Sequence, residues 1–138
     1  MSGRIFLDTN IIIYLYSEDE NDKRDIAYNF VNNFNCVTSI QVMNEASNVW
    51  LRKYNLDKCK ISKYLDEIEA VCDDVMLIRR KTINQALDIK DQYGYSFYDC
   101  LMLASALEAN CDVILTEDMQ DGQVIDSTLK IVNPFKTS

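Results

Sequence analysis

The 138-residue sequence contains no histidine. Ribonucleases that work without metal through a cyclic phosphate need an imidazole as general base and acid near neutral pH, so that chemistry is closed to this chain. Histidine-ligated catalytic zinc is excluded for the same reason. Proline occurs once and glycine three times, which leaves little material for long irregular loops and points to a helix-rich fold. No apolar run approaches the roughly 20 residues of a membrane span. The opening Met1-Ser2-Gly3-Arg4 meets Asp8 after only three apolar residues, too soon for the core of a secretion signal, so a cytoplasmic protein with no membrane partner is expected. Five cysteines (Cys36, Cys59, Cys72, Cys100, Cys111) are scattered and never fall in Cys-x-x-Cys spacing. Neither a disulfide framework nor a thiolate zinc site is indicated, and they read as reduced fillers of the core.

Basic residues are also scarce. Fourteen against 22 acids leave a net charge of −8, where nucleic-acid binders usually show a basic face. The same surplus arises if several carboxylates exist to hold hard cations, since magnesium takes oxygen ligands and bridges protein to phosphate. Substrate affinity would then lean on the metal and on local clusters such as Arg79-Arg80-Lys81 and Arg52-Lys53, each of which also reads as ordinary solvated charge.

At this length one domain spanning residues 1–138 is expected. Ile5-Phe6-Leu7 reads as a buried strand ending near Asp8, and Ile11 to Tyr16 continues apolar. Ser17-Glu18-Asp19-Glu20 has the form of a capping box, with Ala27, Phe30, Val31 and Phe34 at helical spacing behind it. Cys36-Val37-Thr38 is a candidate strand, and Ser39 to Arg52 a helix with Ile40, Met43, Trp50 and Leu51 on its apolar arc. Asp57 caps a further helix through Ile61, Tyr64, Leu65 and Ile68, after which Val75 to Ile78 reads as a buried strand. Thr82-Ile83-Asn84-Gln85 is another capping box whose helix stops at Gly94. A helix restarts at Ser96 and runs to about Asn110, with strands at Val113–Thr116 and Leu129–Val132. Strands alternating with helices predict an α/β fold of three layers, α/β/α, around a mostly parallel sheet of about five strands.

The chemistry lies in where the acids fall. Asp8 ends the first strand and Asp118 follows the strand Val113–Thr116, and open parallel sheets collect ligands at the carboxyl ends of their strands. Asp99 is embedded among Phe97, Tyr98, Cys100 and Leu101 to Ala104, where a buried charge is costly unless paired or bound to metal. Glu45, with Val42 and Val49 at helical spacing, sits at the margin of an apolar arc. Each also has a plainer reading: Asp8 as a cap, Asp99 as the third residue of a Ser96 capping box, Asp118 as part of the turn Glu117 to Gly122, and Glu45 as a solvated side chain. The combination carries the metal-site reading.

Taken in order, Phe6-Leu7-Asp8-Thr9-Asn10, Asn44-Glu45, Ser96-Phe97-Tyr98-Asp99 with Leu103-Ala104, and Leu115-Thr116-Glu117-Asp118 resemble the four acidic motifs of PIN domains, in register from Arg4 to Phe135. Gly122-Gln123-Val124-Ile125 and Asn133-Pro134-Phe135 are similar to the closing motifs of the VapC-like toxins of bacterial toxin–antitoxin pairs. The resemblance implies a PIN fold and an acidic pocket for one or two divalent cations, Mg2+ or Mn2+. It implies an endoribonuclease leaving a 5′-phosphate and a 3′-hydroxyl, a homodimer, and inhibition by a cognate antitoxin. Asp8 and Asp99 would anchor the principal ion, with Glu45 and Asp118 completing coordination. Asp121 is the alternative fourth acid; Asp118 is favoured as the first after the strand, with Thr116 as the hydroxyl orienting it. Asn10 and Ser96 are candidates for positioning water or phosphate, or for capping. An antitoxin with a basic segment would suit the acidic pocket, since a guanidinium presents paired donors to carboxylates.

Other classes fit less well. A haloacid-dehalogenase-like phosphatase needs a second acid two residues after the first, where this chain has Asn10, and a phospho-acceptor receiver domain needs a lysine after a late strand, where it has Glu117-Asp118. A non-catalytic RNA- or protein-binding module with structural acids is the remaining alternative.

Overall fold

A computed structural model describes residues 3–136; the Met1-Ser2 start lies outside them. The chain opens with β1 (Arg4–Leu7), whose Ile5, Phe6 and Leu7 are fully buried. Helices α1 (Thr9–Leu15) and α2 (Asn21–Asn33) lead to β2 (Asn35–Ser39), and α3 (Ile40–Arg52) and α4 (Lys58–Val71) lead to β3 (Asp74–Met76). Then come α5 (Arg80–Tyr93), α6 (Phe97–Glu108), β4 (Val113–Leu115), β5 (Val124–Ile125) and β6 (Leu129–Val132). The sheet order is β3-β2-β1-β4-β6-β5, parallel throughout except where β5 pairs antiparallel with β6. The expected α/β fold around a mostly parallel sheet is present, with six strands rather than about five, because β5 turns back along β6.

The chain order explains where a site can form. From β1 the chain steps outward to β2 and β3, then crosses back to lay β4 on the other side of β1. With right-handed crossovers, that reversal sends α1 to α4 and the pair α5–α6 to opposite faces of the sheet, and it opens a crevice at the carboxyl ends of β1 and β4. β1 is the central strand: Phe6 is in register with Val37 on one side and Ile114 on the other.

Two sequence-predicted caps, Asp57 and Ser96, are in place, and Ser39 caps α3 as well. Ser39, Asp57 and Ser96 accept from the backbone N–H groups of Val42, Lys60 and Asp99, as capping side chains do. Gly94 ends α5 in the left-handed conformation at φ +81°, which glycine adopts without a side-chain clash.

Three expectations need correction, and one helix carried no expectation at all. Residues Thr9–Leu15 form a helix, α1, whose Ile11, Ile12, Ile13 and Leu15 are all buried, so no polar face marked its period. Ser17 does not cap α2: its hydroxyl accepts from Glu20 N–H in the turn before the helix, which starts at Asn21. Thr82 is not a cap but the third residue of α5, its hydroxyl accepting from Arg79 N–H. Val75–Ile78 is not a buried strand; β3 is a short edge strand, and Leu77 beyond it is 56% exposed. The cysteines are free; Cys36, Cys72, Cys100 and Cys111 fill the core as expected, whereas Cys59 is exposed on α4.

Candidate active site

The site begins at the end of β1. Asp8 is 2% exposed and caps α1: its Oδ1 accepts from Thr9 N–H at 2.6 Å, and its Oδ2 accepts from the Thr116 hydroxyl at 2.5 Å. Thr116 follows β4 directly, so this bond ties together the carboxyl ends of the two strands that bound the crevice. The Thr116 oxygen in turn accepts from Asp118 N–H at 3.2 Å, which sets the backbone from which the Asp118 side chain departs. Asn10, the second residue of α1, donates its side-chain N–H to Asp118 Oδ2 at 2.9 Å. Asp8, Asn10, Thr116 and Asp118 therefore form one hydrogen-bonded set, built from residues more than one hundred positions apart in the chain.

Asp99 and Glu45 approach this set from α6 and α3. Ser96 bonds the Asp99 N–H at 3.2 Å, but the reciprocal half of a capping box is not made, which leaves the Asp99 carboxylate free of its own helix. Its neighbourhood is less enclosed than the apolar sequence around it predicts. Asp99 is half-buried at the mouth of α6, while Cys100 to Ala106 behind it are buried. Its charge is felt at Asp8, Glu45 and Asp118, raising the pKa of each. Burial is the largest influence on all three. It pushes Asp8 up to about 7 against the opposing bonds from Thr116 and Thr9, with the charges of Asp99 and Asp118 adding to the rise. Glu45 and Asp118 are also raised, first by burial.

The Asp118 and Asp121 alternatives separate in space. Asp121 accepts from Asn133 N–H at 2.8 Å and lies 3.9 Å from Lys136, fastening the segment after β6. Glu117 is likewise engaged, accepting from the Tyr14 hydroxyl and pairing with Lys23 at 3.1 Å. Asp118, held by Asn10 and within reach of Asp99's charge, faces the other acids. Ser96 acts as a helix cap.

A family model for the PIN domain matches residues 5–120, a span containing the three motifs carrying Asp8, Glu45 and Asp99 and the segment bearing Asp118. The chain belongs to the PIN domain family. Solved PIN-like neighbours share the fold at low identity. A toxin–antitoxin complex from Klebsiella pneumoniae aligns with TM-score 0.71 at 18% identity, covering 96% of this chain and 99% of that one. The Mycobacterium tuberculosis toxin VapC20, described as cleaving the sarcin–ricin loop, aligns with TM-score 0.67 at 16% identity over 83% of this chain and 91% of its own. VapBC2 from Rickettsia felis, bound to a fragment of promoter DNA, gives TM-score 0.63 at 16% identity over 94% and 99%. No curated protein sequence matches the chain significantly.

Whether this PIN domain suits a divalent ion can be judged from its own atoms. Among the described residues, no three potential ligands are drawn together closely enough to enclose a cation. Magnesium does not require such a cage, because it keeps several waters and binds through one or two carboxylates. Glu45 Oε2 is buried with no hydrogen-bond partner, and Asp8 is enclosed with other acids nearby. Hard oxygen donors in excess of the protein's own hydrogen bonds fit a hydrated cation. Among the described residues, no helix is long and apolar enough to cross a membrane.

Proposed function

We propose that this PIN domain is a metal-dependent endoribonuclease and the toxin of a toxin–antitoxin pair, hydrolysing RNA phosphodiester bonds with Mg2+ or Mn2+ at Asp8, Glu45, Asp99 and Asp118. The observation that carries the reading is the buried Asp8, held at the crevice between β1 and β4 while the charges of Asp99 and Asp118 act on it. Mutually repelling carboxylates at a sheet rim are costly in the metal-free protein, and a cation removes that cost. The toxin neighbours, one of them described as cleaving the sarcin–ricin loop, support the substrate class.

In this reading Asp8 and Asp99 are the principal anchors, with Glu45 and Asp118 completing the set directly or through water. An ion held by these residues would supply an acidified water and charge stabilisation at phosphorus. The protein's part is positional. Thr116 fixes the Asp8 carboxylate at the end of β1, and Asn10 tethers Asp118 to the start of α1. The negative rim repels a phosphate backbone until it is neutralised, so substrate binding and metal loading are coupled. An antitoxin with a basic segment suits the same rim. A homodimer and a cytoplasmic setting complete the proposal.

The test is cleavage of a structured RNA by the purified protein with magnesium or manganese, alongside Asp99→Asn. The variant is expected to lose activity by about a hundredfold or more while keeping its circular dichroism spectrum, as loss of a group acting on the transition state demands. Full activity in Asp99→Asn, or cleavage undiminished by a chelator, would refute the assignment.

A further inference from the structure

The acid cluster contains one more group with no evident structural task. Thr9 is the first residue of α1, and its backbone N–H already serves Asp8. Its side chain is 9% exposed, and its hydroxyl oxygen is buried without a hydrogen-bond partner. Buried hydroxyls in folded proteins are almost always satisfied, and one left open calls for a reason. Helix capping is not that reason, because Asp8 is the cap of α1. Nor is packing, since valine has the same shape and no polar atom to desolvate.

A second orphan stands across the gap. α1 packs against α3, the helix that carries Glu45, and Glu45 Oε2 is also buried with no partner. Burial raises the Glu45 carboxyl, and the Gln41 side chain and the Thr9 hydroxyl both stand close enough to it to offset part of that rise. Thus a hydroxyl with a proton to give and a carboxylate oxygen able to receive it share one side of the cluster, while the amide of the same threonine is bonded to Asp8. A threonine hydroxyl donates once and accepts twice, so it can hold Glu45 and still receive a bond from a water carried by an ion.

We propose that Thr9 is a positioning residue of the metal site: its N–H fixes Asp8 and its hydroxyl fixes Glu45, so that one residue sets the spacing between the acid after β1 and the acid on α3. The proposal rests on the metal-dependent reading above. Side chains that orient metal ligands typically change metal affinity by about 10- to 100-fold when removed. Here the loss falls on the ion and not on the metal-free fold, because nothing in the fold depends on the hydroxyl.

The experiment titrates Mn2+ into the full chain by calorimetry and follows thermal melting with and without Mn2+, for the wild type, Thr9→Val and Thr9→Ser. Thr9→Val is expected to melt no lower than wild type without metal, to bind Mn2+ about tenfold more weakly or worse, and to gain less stability from it. Thr9→Ser, which restores the hydroxyl, should recover most of that affinity. Wild-type affinity in Thr9→Val, or serine binding no better than valine, overturns the proposal while leaving the metal site standing. A wild-type chain that binds no Mn2+ overturns both, and is recognised by the absence of heat in the parent titration. Should valine prevent folding, Thr9→Ala against Thr9→Ser carries the same comparison with the same two outcomes.

Discussion

Replacing Asp8 by asparagine is expected to stabilise the metal-free protein at and above neutral pH. In the folded state the carboxyl is raised from 3.8 to about 7, chiefly by burial. Below pH 3.8 both folded and unfolded chains carry the proton, and the group contributes its full stability. Between 3.8 and about 7 the unfolded chain ionises while the folded chain holds its proton, so wild-type stability falls as pH rises. Above 7 both forms are ionised and the loss is complete. At about 1.4 kcal/mol per pKa unit, a shift of this size amounts to about 4 kcal/mol. Asparagine does not ionise and escapes it. Its amide would donate to the Thr116 oxygen where the carboxylate accepted, and re-aiming that hydroxyl offsets some of the gain, leaving about 2 kcal/mol or more. For a domain of this size that is a rise in Tm of roughly 5 to 10 °C. The assay is thermal melting in a chelating buffer from pH 4 to 8.5 for both proteins. The curves should run together near pH 4, separate through pH 7, and then stay parallel. Added Mn2+ should reverse their order by stabilising only the wild type. A difference independent of pH, or an asparagine variant less stable than wild type at pH 8, would refute the reasoning.

Three further outcomes are expected. Native protein should expose one rapidly reacting thiol, Cys59, to a thiol reagent and five after unfolding, because Cys36, Cys72, Cys100 and Cys111 are buried and burial pushes Cys72 and Cys111 up to about 12; four fast thiols would contradict the core packing. Trp50→Ala should cost about 3 to 5 kcal/mol in urea unfolding, since the ring is 2% exposed and packs edge-on to Tyr16 and Tyr64; a loss below 1 kcal/mol would show that this aromatic group is not part of the core. An inhibitory partner whose basic segment occupies the acidic rim should bind more weakly as Mg2+ rises at constant ionic strength; an unchanged affinity would place it elsewhere on the protein.

Much of this fold was legible because its signals are local. Ser39, Asp57 and Ser96 stand immediately before the helices they cap, and Gly94 ends α5 by its own backbone preference. What escaped depended on tertiary surroundings. α1 is buried on nearly every side, so its isoleucines carry no helical period, and β5 is two residues long and exists only by pairing with β6. Ser17 and Thr82 carried the right chemistry in the wrong register, a turn early in one case and three residues late in the other. At the site, spacing favoured Asp118 over Asp121 only as the first acid after the strand; that Asn10 engages Asp118 while Asp121 accepts from Asn133 N–H depends on residues well separated in the chain. Thr9 gave no signal of its own: a threonine after a capping aspartate is unremarkable until its hydroxyl is found without a partner.

The two outer strands bear on how copies of the chain could meet. β3 offers three residues and opens with the exposed Asp74, which pairs with Arg4, and β5 offers only two. Neither rim presents the long, flat row of free amides and carbonyls on which another strand can dock, and a charge at an edge discourages pairing further. A continuous sheet running from one molecule into the next is therefore disfavoured at both ends, as is the ribbon-like self-association that begins that way. In a homodimer of this chain the helices would make the contact and the sheet would stop within each subunit.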